Sequence, residues 1–442
     1  MSVHDKAMPH VPPERPTIAA FWGYWLRLGC ISVGGPAAQI ALMHQELVVE
    51  KRWISEARFL HALNYCMVLP GPEAQQMAVY TGWLLHGVWG GVVAGSLFIL
   101  PAFLLLLGLS FIYMQWGNLP EVAALLYGIK PLVIALVFAA AWRLARRILY
   151  GAWLWGVALG ALGLQFLHVP FPAIILLAAI SGWVVQRWIP ARIQAHKTSH
   201  LDAAQPHSPC VIDDDTPVTG GNHPQRLMLW IIIAAIVLGG CTLCGLWFYL
   251  GWPHVFTQLA WFFAKAAFLT FGGAYAVLPY VFDVSVQHFH WLTPAQMLDG
   301  LALGESTPGP LIIVLTYIGF VAGWQAHLTM PVWQAGLIGA SIVTWFTFLP
   351  SFLLVFLGAP WLERTRQQLQ WAAPMTAISA AVVAGIVFLA LTLLQHVVWP
   401  GNIDFVSAAM LLIALGLLLK TRITIFWLLL GFMAVGWLFK MG

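Results

Sequence analysis

The chain has 442 residues, of which 61% are hydrophobic and only 8% charged, with 24 tryptophans. A soluble domain carries about 25% charged residues, so the composition excludes one and implies an all-α polytopic membrane protein. The formal net charge of +4 is spread over the loops, too thin for a nucleic-acid surface, and the five cysteines show no ligand or disulfide-framework spacing apart from Cys241 and Cys244, which read as small core residues on one helix face.

Residues 1–16 are polar and proline-rich and read as a cytoplasmic tail; the apolar stretch after them continues without a small-residue cleavage site, as a retained span does. At about 20 residues per crossing, the apolar passages in chain order are 17–44, 56–87 (broken), 89–116, 119–142, 152–167, 170–187, 227–250, 253–282, 294–325 (broken), 331–358, 366–395, 403–419 and 422–440. Counting each broken pair as one passage gives about thirteen crossings, fewer if a pair re-enters as a hairpin. These group into a first unit at 17–187, a linker at 188–226, a connecting helix at 227–252 and a second unit at 253–440. The linker is rich in Pro, Ser, His and Asp and cannot bury a core, so it reads as solvated; His196, His200, His207 and His223 beside Asp213, Asp214 and Asp215 leave a metal-binding tract as the alternative. With a cytoplasmic N-terminus, the basic groups at Arg143, Arg146 and Arg147, at Arg187, Arg192, Lys197 and Arg226, at Arg364 and Arg366, and at Lys420 and Arg422 all fall on the cytoplasmic side. Lys51, Arg52 and Lys440 are exceptions.

The two units are copies. Laying Ser32 on Thr270 brings "SVGGPAAQIAL" (32–42) onto "TFGGAYAVLPY" (270–280), Trp53 onto Trp291, Ser55 onto Thr293, and "LPGP" (69–72) onto "TPGP" (307–310); further on, "LPAFLLL" (100–106) meets "LPSFLLV" (349–355). The basic cluster follows the helix at 119–142 in the first copy, whereas basic "ERTR" (363–366) precedes the matching helix in the second. Equivalent loops therefore face opposite sides, the pattern of inverted repeats with discontinuous helices, in which the substrate site lies near the midplane.

Each copy is interrupted twice inside its apolar stretches. A single Gly or Pro kink is common in membrane helices, but exposed backbone groups are costly in hydrocarbon, so four breaks in two homologous pairs imply a protein-lined or wet site. Gly35 before Pro36, Gly71 before Pro72 and Gly309 before Pro310 read as helix starts with Pro at the first helical position, whose free amides favour an anion. Gly34, Gly272 and Gly273 complete the breaks, and Ser32, Thr270, Ser306 and Thr307 add hydroxyls. Arg27 and Lys265 occupy matched positions before the Gly-Gly breaks, and Lys130 is a third cation inside a span; a charge at bilayer depth usually marks a permeation path, with snorkelling to the interface as the alternative. Glu73 complements a helix dipole, Glu305 is placed as a proton-linked carboxylate, and Gln75, Gln76 and Asn64 either donate to an oxyanion or satisfy nearby backbone.

"VGGPAAQIALMHQELVVEKRWIS" followed by "LPGP", then "FGGAYAVLPYVFDVSVQHFHWLTPAQMLDGLALGESTPGP", resemble the paired signatures of the chromate ion transporter family in its long two-domain form, over 17–187 and 253–440. Val33 stands where Phe is usual before Gly-Gly-Pro. The resemblance implies an exporter of chromate in the bacterial inner membrane that confers resistance, with sulfate as the structural analogue. The expected partners are then the inorganic oxyanion and membrane lipid, with a homodimer allowed, and neither nucleic acid nor a cofactor is called for. No GxxxxGK[ST] motif is present for ATP, and no HExxH or GxSxG for an intramembrane enzyme. An anion channel, or a transporter of another oxyanion such as sulfate, shares every feature above.

Overall fold

The computed structural model describes residues 13–32, 35–67, 69–117, 119–188, 210–213, 224–271, 274–362, 372–399, 401, 403–421, 423 and 425–441. All regular elements among them are helical. The first copy contains α1 (Ile18–Ile31), α2 (Gly35–His44) with a π-helical continuation (Gln45–Glu50), α3 (Glu56–Cys66), α4 (Glu73–Trp116), α5 (Pro120–Ile148), α6 (Ala152–Phe166) and α7 (Phe171–Trp188). A connecting rod follows: α8 (Pro224–Ala235), a π-helical turn (Ile236–Cys241) and α9 (Thr242–Leu250). The second copy repeats the series as α10 (Val255–Phe268), α11 (Ala274–Phe282) with its own π-helical continuation (Asp283–His288), α12 (Pro294–Ser306), a 3-10 turn (Leu311–Ile313), α13 (Val314–Gln325), α14 (Val332–Leu362), α15 (Ala372–Val398), α16 (Phe405–Lys420) and α17 (Ile425–Met441).

Local chemistry starts matched helices in the same way. Ser55 Oγ accepts from Arg58 N at 3.2 Å to cap α3, and at the equivalent start of α12 Thr293 Oγ1 accepts from Gln296 N while Gln296 Oε1 accepts from Thr293 N, a reciprocal capping box. Among the described residues six helical stretches are long and apolar enough to cross a membrane: α4, α5, α7, Leu229–Leu250, Val332–Pro360 and Ala373–Val398. Six shorter apolar helices accompany them. The protein is an integral membrane protein.

The interrupted segments do not run on across a break; they fold back on themselves. In α1 and α2, Arg27 meets Glu46 at 3.7 Å and Tyr24 meets Trp53 at 5.2 Å between ring centroids, pairs that a straight helix would hold about 30 Å or more apart. In the next pair, the Tyr65 and Tyr80 rings are 6.1 Å apart. The second copy does the same: Phe262 packs on Trp291, and Tyr317 Oη donates to Gln296 O at 3.0 Å while its ring lies against Gly300. Each of these segments is thus a helical hairpin: for 56–87 and 294–325 this is the re-entrant alternative left open by the sequence, and for 17–44 and 253–282 the expectation of a single passage is corrected. The reason lies in helix length: α3 has 11 residues and α12 has 13, about 16–20 Å, too short for a hydrocarbon core of about 30 Å. The helix α4 reverses once more. His86 and Gly87 (φ 67°) are non-helical, and Gly82 packs on Gly90 across the turn, as Gly319 packs on Gly339 between α13 and α14.

The copies interlock by exchange. The helix α5 of the first copy packs against α16 and α17 of the second, while its counterpart α15 packs against α6 and α7 of the first. At both crossings glycine lets backbones approach: Gly128 and Gly436 meet between α5 and α17, and a Cβ on Gly182 would lie 2.6 Å from Ala373 O between α7 and α15. The linker is not solvated throughout. Val211 and Ile212 donate to Arg52 O and Trp53 O at 3.0 and 3.1 Å, and Ile212 is buried; the four linker histidines lie outside the described residues.

Candidate functional site

The hairpin tips of one copy meet the helix ends of the other. Gly71 N donates to Thr270 O at 2.8 Å, and Gly309 N donates to Ser32 O at 2.7 Å. Gly71 and Gly309 are matched positions, as are Ser32 and Thr270, so the two bonds are the same contact made twice with the copies exchanged. All four breaks are joined in this way. The glycines are required by conformation: Gly35, Gly71 and Gly309 have φ of 82°, 132° and 97°, values that side chains rarely tolerate. Packing repeats the symmetry, because a Cβ on Gly71 would face Ser351 Oγ at 2.9 Å and one on Gly309 would face Ala102 Cβ at 2.5 Å, and Ser351 and Ala102 hold the same place in the two "LPxF" motifs.

Pro72 and Pro310 are extended cap residues that precede the first helical residue, not the first helical residues themselves; Pro36 follows Gly35 within the first turn of α2. The first amides of the α4 arm, beginning with Glu73, have no carbonyl one turn back to bond. Of the hydroxyls, three already donate to carbonyls of their own helix ends: Thr270 to Ala266 O, Ser306 to Leu303 O and Thr307 to Gly304 O, each at 2.8 Å. Ser32 Oγ, buried at 1% exposure, has no partner among the described residues. Gln76 Nε2 closes the first tip by donating to Pro70 O at 2.8 Å, which is the backbone-satisfying role. Gln75 is fully buried; its Oε1 accepts from Ser351 Oγ at 2.8 Å and its Nε2 has no partner among the described residues. Asn64 is exposed. The second junction carries a residue that sequence reasoning did not single out: Gln39, buried, whose Nε2 donates to Gly309 O at 2.5 Å and reaches Ser32 O at 3.4 Å.

Carboxylates and cations gather along α5. Tyr275 Oη donates to Glu305 in a very short contact, with Arg143 in electrostatic range of that carboxylate. Arg147 Nη2 lies 3.5 Å from Met67 Sδ at the end of α3. Nearer its start, Lys130 Nζ lies 3.3 Å from Asp299 Oδ1, with Asp299 only 6% exposed, and Tyr113 Oη donates to Asp299 Oδ2 at 2.9 Å. Asp299 and Tyr113 were missed because each sits singly in an apolar run. The available signal was Lys130, since a cation buried in a membrane helix calls for an acid. Arg27 and Lys265 are not brought to the tips. Arg27 is 64% exposed, on a face with Trp22, Leu26 and Ile31, and pairs with Glu46; Lys265 is exposed and lies over the Trp261 ring at 5.4 Å. Gly34, Gly272 and Gly273 lie outside the described residues. A cavity of about 250 Å³ between α4 and α14 is lined by matched pairs, Ile99 with Phe348 and Phe103 with Phe352; its Ser341 and Thr344 hydroxyls and the Trp345 indole N–H already donate to backbone carbonyls.

Fold and site together define a helical integral membrane protein made of two repeats whose interrupted helices meet tip to helix end. The chain belongs to the chromate transporter family: the family profile matches residues 19–183 and 257–437, once in each copy. It is 32% identical over 448 aligned positions to a chromate transport protein of Pseudomonas aeruginosa, covering 98% of this chain and 95% of the relative. A chromate transport protein of Cupriavidus metallidurans is 28% identical (90% and 87% covered), and a probable chromate transport protein of Synechococcus elongatus is 29% identical (77% and 75% covered). No solved structure matches the chain.

Proposed function

We propose that the protein is a secondary transporter that exports chromate across the bacterial inner membrane, binding the dianion where the hairpin tips cross. The observation that carries this reading is the exchanged pair of hydrogen bonds, Gly71 to Thr270 and Gly309 to Ser32. It joins the four breaks in two cross-copy pairs, and it is supported by buried donors without partners among the described residues, Gln75 Nε2 beside one pair and Ser32 Oγ in the other. Oriented donors in a dry site bind an oxyanion without reorganising, and a tetrahedral dianion such as sulfate competes for the same contacts.

In the same reading the copies are inverted. The N-terminus is cytoplasmic, and the first copy's hairpins enter from the cytoplasm. Four through-helices and the connecting rod then deliver the second copy's hairpins from the periplasm, so tips from opposite faces meet near the midplane. This accounts for Lys51 and Arg52: beside Tyr24 and Trp53 at the open end of a hairpin, they fall on the cytoplasmic side that positive charge favours. Export needs no ATP, because a dianion gains about 4.6 kcal/mol per 100 mV on leaving a negative interior, at about 2.3 per charge.

Flux of radiolabelled chromate in vesicles of known orientation, with sulfate as competitor, tests the function. Saturation and counterflow are expected of a carrier, and unsaturable flux would establish a channel. Cysteine labelling at Asn118 and Thr365, both outside the described residues, tests the topology: Asn118 is expected to label from the periplasm and Thr365 from the cytoplasm, and labelling of both from one face would overturn inversion.

A further inference from the structure

The starts of α3 and α12 share a backbone and differ in what completes them. In both copies the approach opens on a residue with positive φ, Arg52 at 50° and His290 at 52°. The next two amides then turn back on one carbonyl, Trp53 and Ile54 on Leu47 O and Trp291 and Leu292 on Ser285 O. The hydroxyls of Ser55 and Thr293 accept from the amides of Arg58 and Gln296. The cap's own amide is served differently. In the second copy Thr293 N donates to Gln296 Oε1 at 2.9 Å, and Pro294 stands at the first helical position, so this start is specified by its own sequence. In the first copy Arg58 holds the place of Gln296, and a guanidinium carries donors only. Ser55 N donates instead to Ile212 O of the linker, at 3.1 Å. Val211 N and Ile212 N return two bonds, to Arg52 O and Trp53 O, and the Ile212 side chain, 2% exposed, enters the core formed by Trp53, Ile54 and Phe59.

We infer that linker residues 210–213 are a strap that positions the first hairpin tip: they supply the acceptor that caps α3, in place of the glutamine the second copy uses, and α3 carries that placement to Gly71. The helix is a short lever. Its 11 residues, about 16 Å, run from the strapped cap to the turn where Gly71 N donates to Thr270 O. The first residue of α3 is likewise held from outside, by Glu56 Oε2 on His44 Nε2 at 2.6 Å, where the second copy has Pro294 and Phe282. The strap itself is three main-chain bonds and one buried side chain, laid along an exposed edge of backbone. A contact of that size opens without unfolding a helix. The linker therefore acts on one tip and not on the other, because the second hairpin closes its own cap. Ile212 is a positioning residue, and only the flux arm of the test below rests on the oxyanion reading.

The test is amide hydrogen exchange at Ser55, Gly71 and Gly309 in the full-length purified protein, comparing wild type with Ile212→Asp and Ile212→Val. An aspartate cannot stay in the core and carries the strap into water, whereas valine keeps it docked. In Ile212→Asp, exchange is expected to quicken about tenfold at Ser55 and about threefold at Gly71, with Gly309 unchanged; Ile212→Val should match the wild type at all three. Arg58→Gln gives the first copy a capping box of its own, so adding Ile212→Asp to Arg58→Gln should leave Gly71 exchange within about twofold of Arg58→Gln alone. If Ile212→Asp does not accumulate in the membrane, Val211→Pro decides, since it deletes only the bond to Arg52 O and should move Ser55 and Gly71 in the same direction by about twofold. Faster exchange at Ser55 with Gly71 unchanged, or equal changes at Gly71 and Gly309, overturns the inference and makes the strap a local or a general stabiliser. In the flux arm, the half-saturating chromate concentration should rise about threefold in Ile212→Asp. A wild type that moves no chromate would overturn the oxyanion reading, while the exchange at Gly71 and Gly309 would still decide the strap.

Discussion

The two tip-bearing hairpins, α3 with the first arm of α4 and α12 with α13, share a backbone and differ in chemistry. Both turn at a glycine with positive φ, and both tips donate one amide to the other copy. After the turn, however, the first continues with Glu73, Gln75 and Gln76, while the second continues with Leu311, Ile312 and Ile313, all buried. The second hairpin holds its acids in the helix before the turn, at Asp299 and Glu305. Duplication thus preserved the crossing geometry and left the side chains to differ: after its turn the first hairpin carries an acid and two amides where the second is apolar, and the second carries its acids before the turn.

The largest effect is expected where the shared geometry is least forgiving. An Ala at Gly309 sets its Cβ 2.5 Å from Ala102 Cβ, held by helix backbone, whereas at Gly71 the clash is with the ends of two polar side chains, Gln76 Nε2 at 2.6 Å and Ser351 Oγ at 2.9 Å. Both substitutions carry the strain of a positive φ, about 1–3 kcal/mol. Chromate flux per inserted protein should fall by about 100-fold or more in Gly309→Ala and by about tenfold in Gly71→Ala. Adding Ala102→Gly should restore part of the loss in Gly309→Ala and none in Gly71→Ala. Equal losses with no rescue would break the equivalence between the two crossings.

A smaller effect is expected from removing a donor that only the first hairpin has. Gln75→Leu eliminates the unpaired Nε2 and leaves Ser351 without its acceptor, so the half-saturating chromate concentration should rise about tenfold, in line with about 1.5 kcal/mol for a hydrogen bond to a charged group. Ser351→Ala separates the two contributions, since it keeps the donor and should raise that concentration by no more than about threefold. If the two variants behave alike, Gln75 acts through Ser351 and the donor is not used.

The sequence revealed the duplication, the four breaks and the glycines at them, because a requirement for positive φ leaves a mark on residue choice that no neighbour can supply. It did not reveal that the broken segments fold back. Hydropathy registers apolar length and is blind to direction, so α3 and the arm of α4 read as one interrupted passage just as a hairpin does. The cross-copy bonds were equally illegible, being backbone to backbone and independent of side-chain identity. Asp299 was visible in "MLDGLALGES" but carried no local sign of its partner, which lies on α5 far back in the chain. The matched offset of Arg27 and Lys265 was real as a pattern, yet helix phase turns both away from the tips.

That last difference supplies the smallest expected effect. Arg27 shares its face of α1 with exposed Trp22, Leu26 and Ile31, and its guanidinium is spent on Glu46 at 3.7 Å. Removing it cannot withdraw charge from an anion at the tips, but it leaves Glu46, only 7% exposed, without that partner. An ion pair with one well-exposed member contributes about 0.2–1 kcal/mol, so Arg27→Gln should lower the amount of protein in the membrane by at most about twofold and leave chromate flux per molecule unchanged. Lys265 has no such carboxylate among the described residues and rests on Trp261; Lys265→Gln should change neither quantity. The control that separates placement from mere tolerance is Lys130→Gln, whose flux per molecule should collapse under the same assay. Should Arg27→Gln or Lys265→Gln instead reduce flux per molecule by tenfold, the outward faces of α1 and α10 would have to border the anion's path, and the hairpin tips would be only one end of it.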